Sequence, residues 1–275
     1  MNFEHVWSEF YFLLNAVVFR LDHFQRKKQK QIVLVNGSPR TGTTWTVAMV
    51  ASVPGYHKAG NFQRDLKLYR MARQGDVIHG HDHCTDELKQ LLREVHVGVV
   101  FLVRDPRDQA VSRLFHTRRN ENHIWQKHLQ QLSNEDGLMA CIEGLDPKTF
   151  PGVVGLASIT KSWQENYPEG KGVRYEDLIA TPETTMASVY SHLHIEVPRP
   201  LLHWIVTRNS FQRMTVGRKF WKRGRPPGMA DPTAHVRKGI VGDWKNYFTP
   251  AHVRRFKELA GDILIEFGYE KDLSW

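Results

Sequence analysis

The chain has 275 residues, 41% of them hydrophobic and 24% charged, which fits a soluble protein with room for one large α/β domain. A net charge of +9 implies an anionic partner. Two cysteines, Cys84 and Cys141, exclude a disulfide framework and point to a reducing, cytoplasmic setting.

From the N-terminus, Phe10 to Phe19 (FYFLLNAVVF) is an apolar run half as long as the roughly 20 residues a membrane-spanning helix needs. It lacks the basic start and cleavage site of a secretory signal. It predicts an amphipathic helical extension over residues 1–30 and no transmembrane segment, with residues 31–275 forming a single domain. Strands are expected at Ile32–Asn36 and Val97–Val103, both continuously apolar and so buried on two faces, and more weakly at Val77–His79 and Gly172–Tyr175. Helices are expected at Thr43–Ala51, from Pro106 behind an Asp105 cap, at Pro182–Leu193, and at Pro250–Phe267 between Thr249 and Gly268. Strands alternating with helices predict an α/β fold of three layers, a mostly parallel central sheet flanked by helices.

Residues 217–239 break this pattern. They hold seven cations and one acid, a net +6 of the chain's +9, among repeated glycines and prolines. They predict a basic loop that orders over a bound anion.

The first strand runs into VNGSPRTGTTW, a phosphate-loop spacing of glycines at a helix N-terminus. A nucleotide triphosphatase would place Lys and then Ser or Thr after the second glycine. Here Thr43 follows Gly42, and the loop's one cation is Arg40. A plain glycine-rich turn would also explain the spacing, but Thr43 and Thr44 add hydroxyl donors where an anion would lie. The second strong strand ends in VRDPRDQAVS, which places Arg104 at the carboxyl end of the sheet, where open α/β sheets bind ligands. The bland alternative is a strand-end arginine paired with Asp105 or Asp108. A third stretch, RKGIVGDWKNYFT, closes the basic loop as an anion clamp.

These stretches, with VRYEDL, resemble in order and separation the family of sulfotransferases that use 3′-phosphoadenosine 5′-phosphosulfate (PAPS). The motifs run from Gly37 to Thr249, over three-quarters of the chain. The resemblance implies a P-loop-like fold, transfer without a metal, and a small or medium acceptor whose hydroxyl, or less readily amine, receives the sulfuryl group. It implies that Pro39, Arg40, Thr41, Gly42, Thr43 and Thr44 cradle the 5′-phosphosulfate, with Trp45 against the adenine. Arg104, Ser112, Arg237, Lys238 and Gly239 would hold the 3′-phosphate. Tyr175 matches a tyrosine near the adenine, and Ser210, Phe211 and Met214 resemble a nucleotide-binding stretch. Arg40 stands where the family usually has lysine. A guanidinium can span two oxygens but gives up no proton, so its implied work is electrostatic stabilisation of the leaving phosphate.

The family's cytosolic branch takes the acceptor proton on a histidine about 22 residues before the Arg104 equivalent. VIHGHDHCTDEL offers His79, His81 and His83, and the family context favours His81. Asp82, Asp86 and Glu87 are the carboxylate alternatives. The same stretch could be an ordinary polar loop or, less in keeping with the lack of a second His/Cys pair, a metal site.

Two rival functions remain: a small-molecule P-loop kinase, which the missing lysine opposes, and a nucleic-acid binder, for which no accompanying motif is present. The acceptor is expected against Tyr56–Arg73 and Arg118–Trp163, where Trp125, Phe150 and Trp163 are candidates for an apolar wall as well as for core. The oligomeric state is not legible.

Overall fold

The structure is a computed structural model, and it describes residues 30–63, 65–216, 227–228 and 237–275. The expected N-terminal helix and most of the basic loop lie outside these residues.

Five parallel strands form the central sheet in the order β2-β3-β1-β4-β7: β1 (Ile32–Gly37), β2 (His57–Asn61), β3 (Asp76–His79), β4 (Val97–Val103) and β7 (Lys171–Arg174). Between them in sequence, β5 (Gly144–Asp146) and β6 (Phe150–Pro151) make a small antiparallel hairpin. The apolar runs behave as strands buried on both faces. In β1, Val33 and Val35 enter one core and Ile32 and Leu34 the other; in β4, Val100 and Leu102 oppose Val99, Phe101 and Val103. One core is closed by helices Thr43–Val50, Pro182–His192 and Arg199–Arg208, the other by Asp86–Glu94 and Val153–Asn166. That is the expected three-layer α/β arrangement. A third cluster unites helices Pro106–Arg119, Asn134–Glu143 and Pro250–Glu266 beside the sheet.

The four predicted strands are present, each within a residue or two of its expected ends. The helix caps also form. The Asp105 carboxylate accepts the Arg107 backbone N–H at 2.9 Å, and Thr249 and His252 exchange capping bonds at the start of Pro250–Glu266. Strand β2 was not expected. Its sequence, HKAGN, is mostly exposed at the sheet edge, so backbone pairing rather than side-chain burial holds it.

This topology positions the site. β1 lies between β3 and β4, with Val35 level with His79 and Gly37 level with Leu102. The loops leaving the carboxyl ends of these three strands therefore meet at one crevice, where the strand order reverses.

Candidate active site

The loop after β1 is strained and tightly anchored. Arg40 adopts a left-handed backbone conformation, φ 73°, and Gly42 has φ 101° as it opens the helix Thr43–Val50. A side chain at Gly42 would bring Cβ to 2.9 Å of the Tyr175 ring, so the position needs glycine for space as well as for conformation. Gln109, from the helix after β4, donates to Ser38 Oγ at 2.8 Å and to the Pro39 carbonyl at 2.5 Å. The Thr41 hydroxyl donates to the Ser38 carbonyl at 2.7 Å and is buried in the loop rather than on the cleft wall.

Arg40 and Arg104 meet here. Arg104 Nη1 donates to the Arg40 carbonyl at 2.9 Å, its guanidinium lies 4.2 Å from the Tyr175 ring centroid, and its buried Nε has no hydrogen-bond partner among the described residues. Arg40 Nε donates to Ser112 Oγ at 3.2 Å. Burial first, and then the positive charges of Arg104, Arg119 and Arg237, push the Arg40 pKa down to about 10. Crowded guanidiniums of this kind favour an anion between them.

Neither acid considered for Arg104 pairs with it. Asp105 forms an ion pair with Arg107, 2.7 Å between Oδ2 and Nη2. Asp108 accepts the backbone N–H groups of Gly242 and Trp244 at 2.7 and 2.9 Å. Asp108 thereby ties the closing motif to the helix after β4. Within that motif Arg237 and Lys238 both bond Asp243, Lys238 Nζ at 2.8 Å. Burial works against the charge on Asp243, but the bonds from Lys238, Asn246 and Arg237 outweigh it and hold the carboxyl below its usual range. Gly239, φ 63°, packs so closely on Phe211 that a side chain there would collide with the ring.

The end of β3 and the loop after it carry the histidines, and they face different partners. His79 Nε2 shares a 2.8 Å hydrogen bond with the Thr43 hydroxyl. His83 Nε2 lies 2.9 Å from Ser158 Oγ at the surface. His81 Nδ1 lies 2.5 Å from the Gly37 carbonyl. A carbonyl only accepts, so Nδ1 carries the proton and the neutral ring keeps its lone pair on Nε2. Burial lowers the His81 pKa, helped by the charge of Arg40 and opposed by the Gly37 carbonyl, so the neutral form is favoured. Of the reserve carboxylates, Asp82 lines the cleft, whereas Asp86 and Glu87 are exposed in the first turn of Asp86–Glu94 and do not. Among the described residues no three His, Cys, Asp or Glu side chains converge as a metal site. Cys84 and Cys141 are free and buried.

These groups share one cleft of about 1590 Å³. Of the site residues expected from sequence, Pro39, Arg40, Gly42, Thr43, Thr44, Trp45, His81, Arg104, Ser112, Tyr175, Met214, Arg237, Lys238 and Gly239 line it. Ser210 and Phe211 do not: Ser210 accepts the Met214 N–H at 2.9 Å through its carbonyl, and Phe211 is buried beneath Gly239. Trp45 Nε1 donates to the Asn209 carbonyl at 2.7 Å, and its ring meets Tyr175 edge-on, 6.3 Å between centroids. Of the three aromatic residues left open between acceptor wall and core, two belong to the core. Phe150 and Trp163 are wholly buried core side chains, because the hairpin and the helix Val153–Asn166 turn them inward. Trp125 packs beside Phe150 and donates to Thr149.

Sequence reasoning missed Asn36 as a functional element. It is fully buried, its Nδ2 donates to the Asp82 carbonyl at 2.9 Å, and its Oδ1 accepts the Asp82 N–H at 3.0 Å. Together with Trp163 Nε1, which donates to the same carbonyl at 2.7 Å, it fixes the turn that carries His81. An asparagine ending the run IVLV was the available signal, since a buried amide needs partners.

A model of the sulfotransferase domain family matches residues 30–268. The chain is 24% identical to sulfotransferase 1B1 of Mus musculus over 89% of its own length and 87% of that protein. It is 24% identical to cytosolic sulfotransferase 16 of Arabidopsis thaliana, covering 96% of this chain and 84% of the relative. Among solved structures, mouse sulfotransferase SULT7A1 complexed with PAP superposes with a TM-score of 0.65 at 21% identity, covering 86% of this chain and 85% of that one. Retinol dehydratase in a complex with retinol and PAP gives 0.59 at 17% identity, covering 91% and 86%. Both confirm the fold.

Proposed function

The chain belongs to the sulfotransferase domain family, and on that premise we propose that it moves a sulfuryl group from PAPS to a hydroxyl of a small or medium acceptor. What supports the reading most is the convergence of Arg40, Arg104 and a neutral His81 on one cleft. The residues suit an anionic nucleotide. Arg104 Nε, which has no partner among the described residues, needs an acceptor, and Gly42 lets the loop backbone lie against the Tyr175 ring, where a Cβ would collide. The solved relatives that carry PAP, the desulfated product, make the same cofactor the natural one to test.

The donor supplies the sulfuryl group and leaves as the 3′,5′-bisphosphate. Pro39, Arg40 and Gly42 to Thr44 would surround its 5′ end, with Trp45 and Tyr175 at the base. Arg104, Ser112 and the 237–239 clamp would hold the 3′-phosphate. Arg40, fixed by the strained loop and by Ser112, stabilises negative charge on the leaving oxygen. His81 Nε2 accepts the acceptor proton, its tautomer set by the Gly37 carbonyl and its position by the Asn36 clamp. Thr43 stands where a triphosphatase needs its lysine, and its hydroxyl bonds His79 instead, which favours sulfuryl over phosphoryl transfer.

The test is nucleotide binding in EDTA. PAP should raise the melting temperature without metal. Adenosine 5′-phosphosulfate, which lacks the 3′-phosphate, should bind at least ~30-fold more weakly, the worth of about 2 kcal/mol of charge-assisted bonds. Equal affinity for the two nucleotides, or a Mg²⁺ requirement with ATP turnover, would overturn the reading in favour of a kinase.

A further inference from the structure

We infer that Arg113 sets acceptor specificity: the acceptor is a largely apolar molecule that carries, away from the hydroxyl to be sulfated, one neutral carbonyl oxygen, and Arg113 donates to that oxygen. The inference rests on the transfer reading above and deepens it by naming the substrate class and the residue that selects it.

The body of the acceptor follows from the wall. Leu66, Leu88, Pro147, Pro151, Leu156 and Ile159 border the cleft, so most of a bound molecule would lie against apolar surface. Arg113 borders the same cleft, next in sequence to the Ser112 that Arg40 bonds.

A cation in such a wall needs something to accept from it. Arg113 is 6% exposed, and burial pushes its pKa down to about 10, so it stays protonated at neutral pH. Its guanidinium lies over the Phe150 ring, 3.5 Å from the centroid, and Nη1 donates to the Pro151 carbonyl. These contacts hold the small hairpin against the helix Pro106–Arg119, but a guanidinium has five N–H groups and this bond uses one. Among the described residues no other hydrogen bond and no ion pair reaches Arg113. The titratable neighbour that acts on it, the Cys141 thiol, is pushed up to about 12 by burial and supplies no negative charge.

Two other arginines of the same helix show what is missing. Arg107 has the carboxylates of Asp105 and Glu270. Arg118 donates to the carbonyls of Leu129, Leu132 and Ser133 and to Asn134 Oδ1. Arg113 lies between them in sequence and borders the cleft with most of its donors unspent. A carbonyl oxygen meets that need and, being neutral, costs little to bring into an apolar wall, whereas a carboxylate would bring a second ion there.

Three phenols of one shape test this. They are 4-(4-hydroxyphenyl)butan-2-one, 4-(3-methylbutyl)phenol, in which a methyl replaces the carbonyl oxygen, and 3-(4-hydroxyphenyl)propanoate, in which a carboxylate replaces the ketone. Each is titrated by calorimetry into the PAP-loaded full chain and assayed with labelled PAPS. The ketone should bind at least ~10-fold more tightly than the hydrocarbon, the worth of one hydrogen bond to a charged group. Arg113→Met should weaken the ketone about 10-fold and the hydrocarbon less than about 2-fold, whereas a purely structural role would weaken both alike. The wild-type comparison decides by itself if that variant does not fold. A hydrocarbon bound as well as the ketone, a propanoate bound more tightly than the ketone, no binding of any of the three, or a preference that survives in Arg113→Met would each overturn the inference. PAP binding, measured first in the same titration, keeps that failure separate from failure of the transfer reading.

Discussion

Two arginines three residues apart, Arg104 and Arg107, lie in opposite electrostatic surroundings. Arg107 is 4% exposed, paired with Asp105 and Glu270, and covered by the rings of Trp244 and Trp275 at 4.2 and 4.5 Å. Its charge is consumed inside the protein, where it ties β4 to the C-terminus. Arg104 donates to a backbone carbonyl, shares its surroundings with Arg40, and leaves Nε without a partner among the described residues. One region is satisfied without a ligand and the other is not. A residue type identifies neither role; the distribution of carboxylates around it does.

That contrast can be broken most severely at Arg107. Replacing it with alanine leaves Asp105 and Glu270 without their cation in a buried setting, and about 3 kcal/mol of stability should be lost. Urea denaturation followed by fluorescence measures this. A loss below about 1 kcal/mol would mean the pairing is ornamental.

His81 sharpens the functional side. His81→Ala should lower kcat at least ~100-fold, the low end for general acid–base catalysis, with PAP affinity nearly unchanged. His79→Ala and His83→Ala should cost less, since those rings bond Thr43 and Ser158. The pH profile carries its own sign. Burial lowers the His81 pKa, so protonation, which removes the Nε2 lone pair, begins only below the ordinary value of about 6.5. Turnover should be flat above that value and fall as pH drops beneath it. Retained turnover in His81→Ala, with loss in Asp82→Asn, would move the role to the carboxylate.

The smallest effect is expected at Arg104 itself. Arg104→Met should weaken PAP binding about 30-fold by isothermal titration, near 2 kcal/mol for charge-assisted bonds, yet change the stability of the empty protein by less than about 1 kcal/mol. Equal losses in binding and stability would erase the distinction from Arg107.

Much of this was legible beforehand because its causes are local. Continuous runs such as VGVVFLV admit only a strand buried on both faces, and Asp105-Pro106 and Thr249-Pro250 start helices through capping and a preset φ. The loop SPRTGTTW, with its glycines, threonines and displaced cation, marked a candidate anion site, and its order with VRDPRDQAVS and RKGIVGDWKNYFT pointed to the family that the domain match shows. Other features depended on contacts between segments distant in the chain. Asn36 clamps Asp82 across 46 positions, and Asp108 reaches Gly242 across 134. Nothing in the local pattern of HGHDHC separates the three imidazoles; only the fold gives His81 the Gly37 carbonyl that sets its tautomer. Phe150 and Trp163 show the same limit from the other side. Their apolar character was plain in the sequence, but whether such a ring faces a ligand or the core depends on which neighbours close over it, and tertiary packing closed both into the interior.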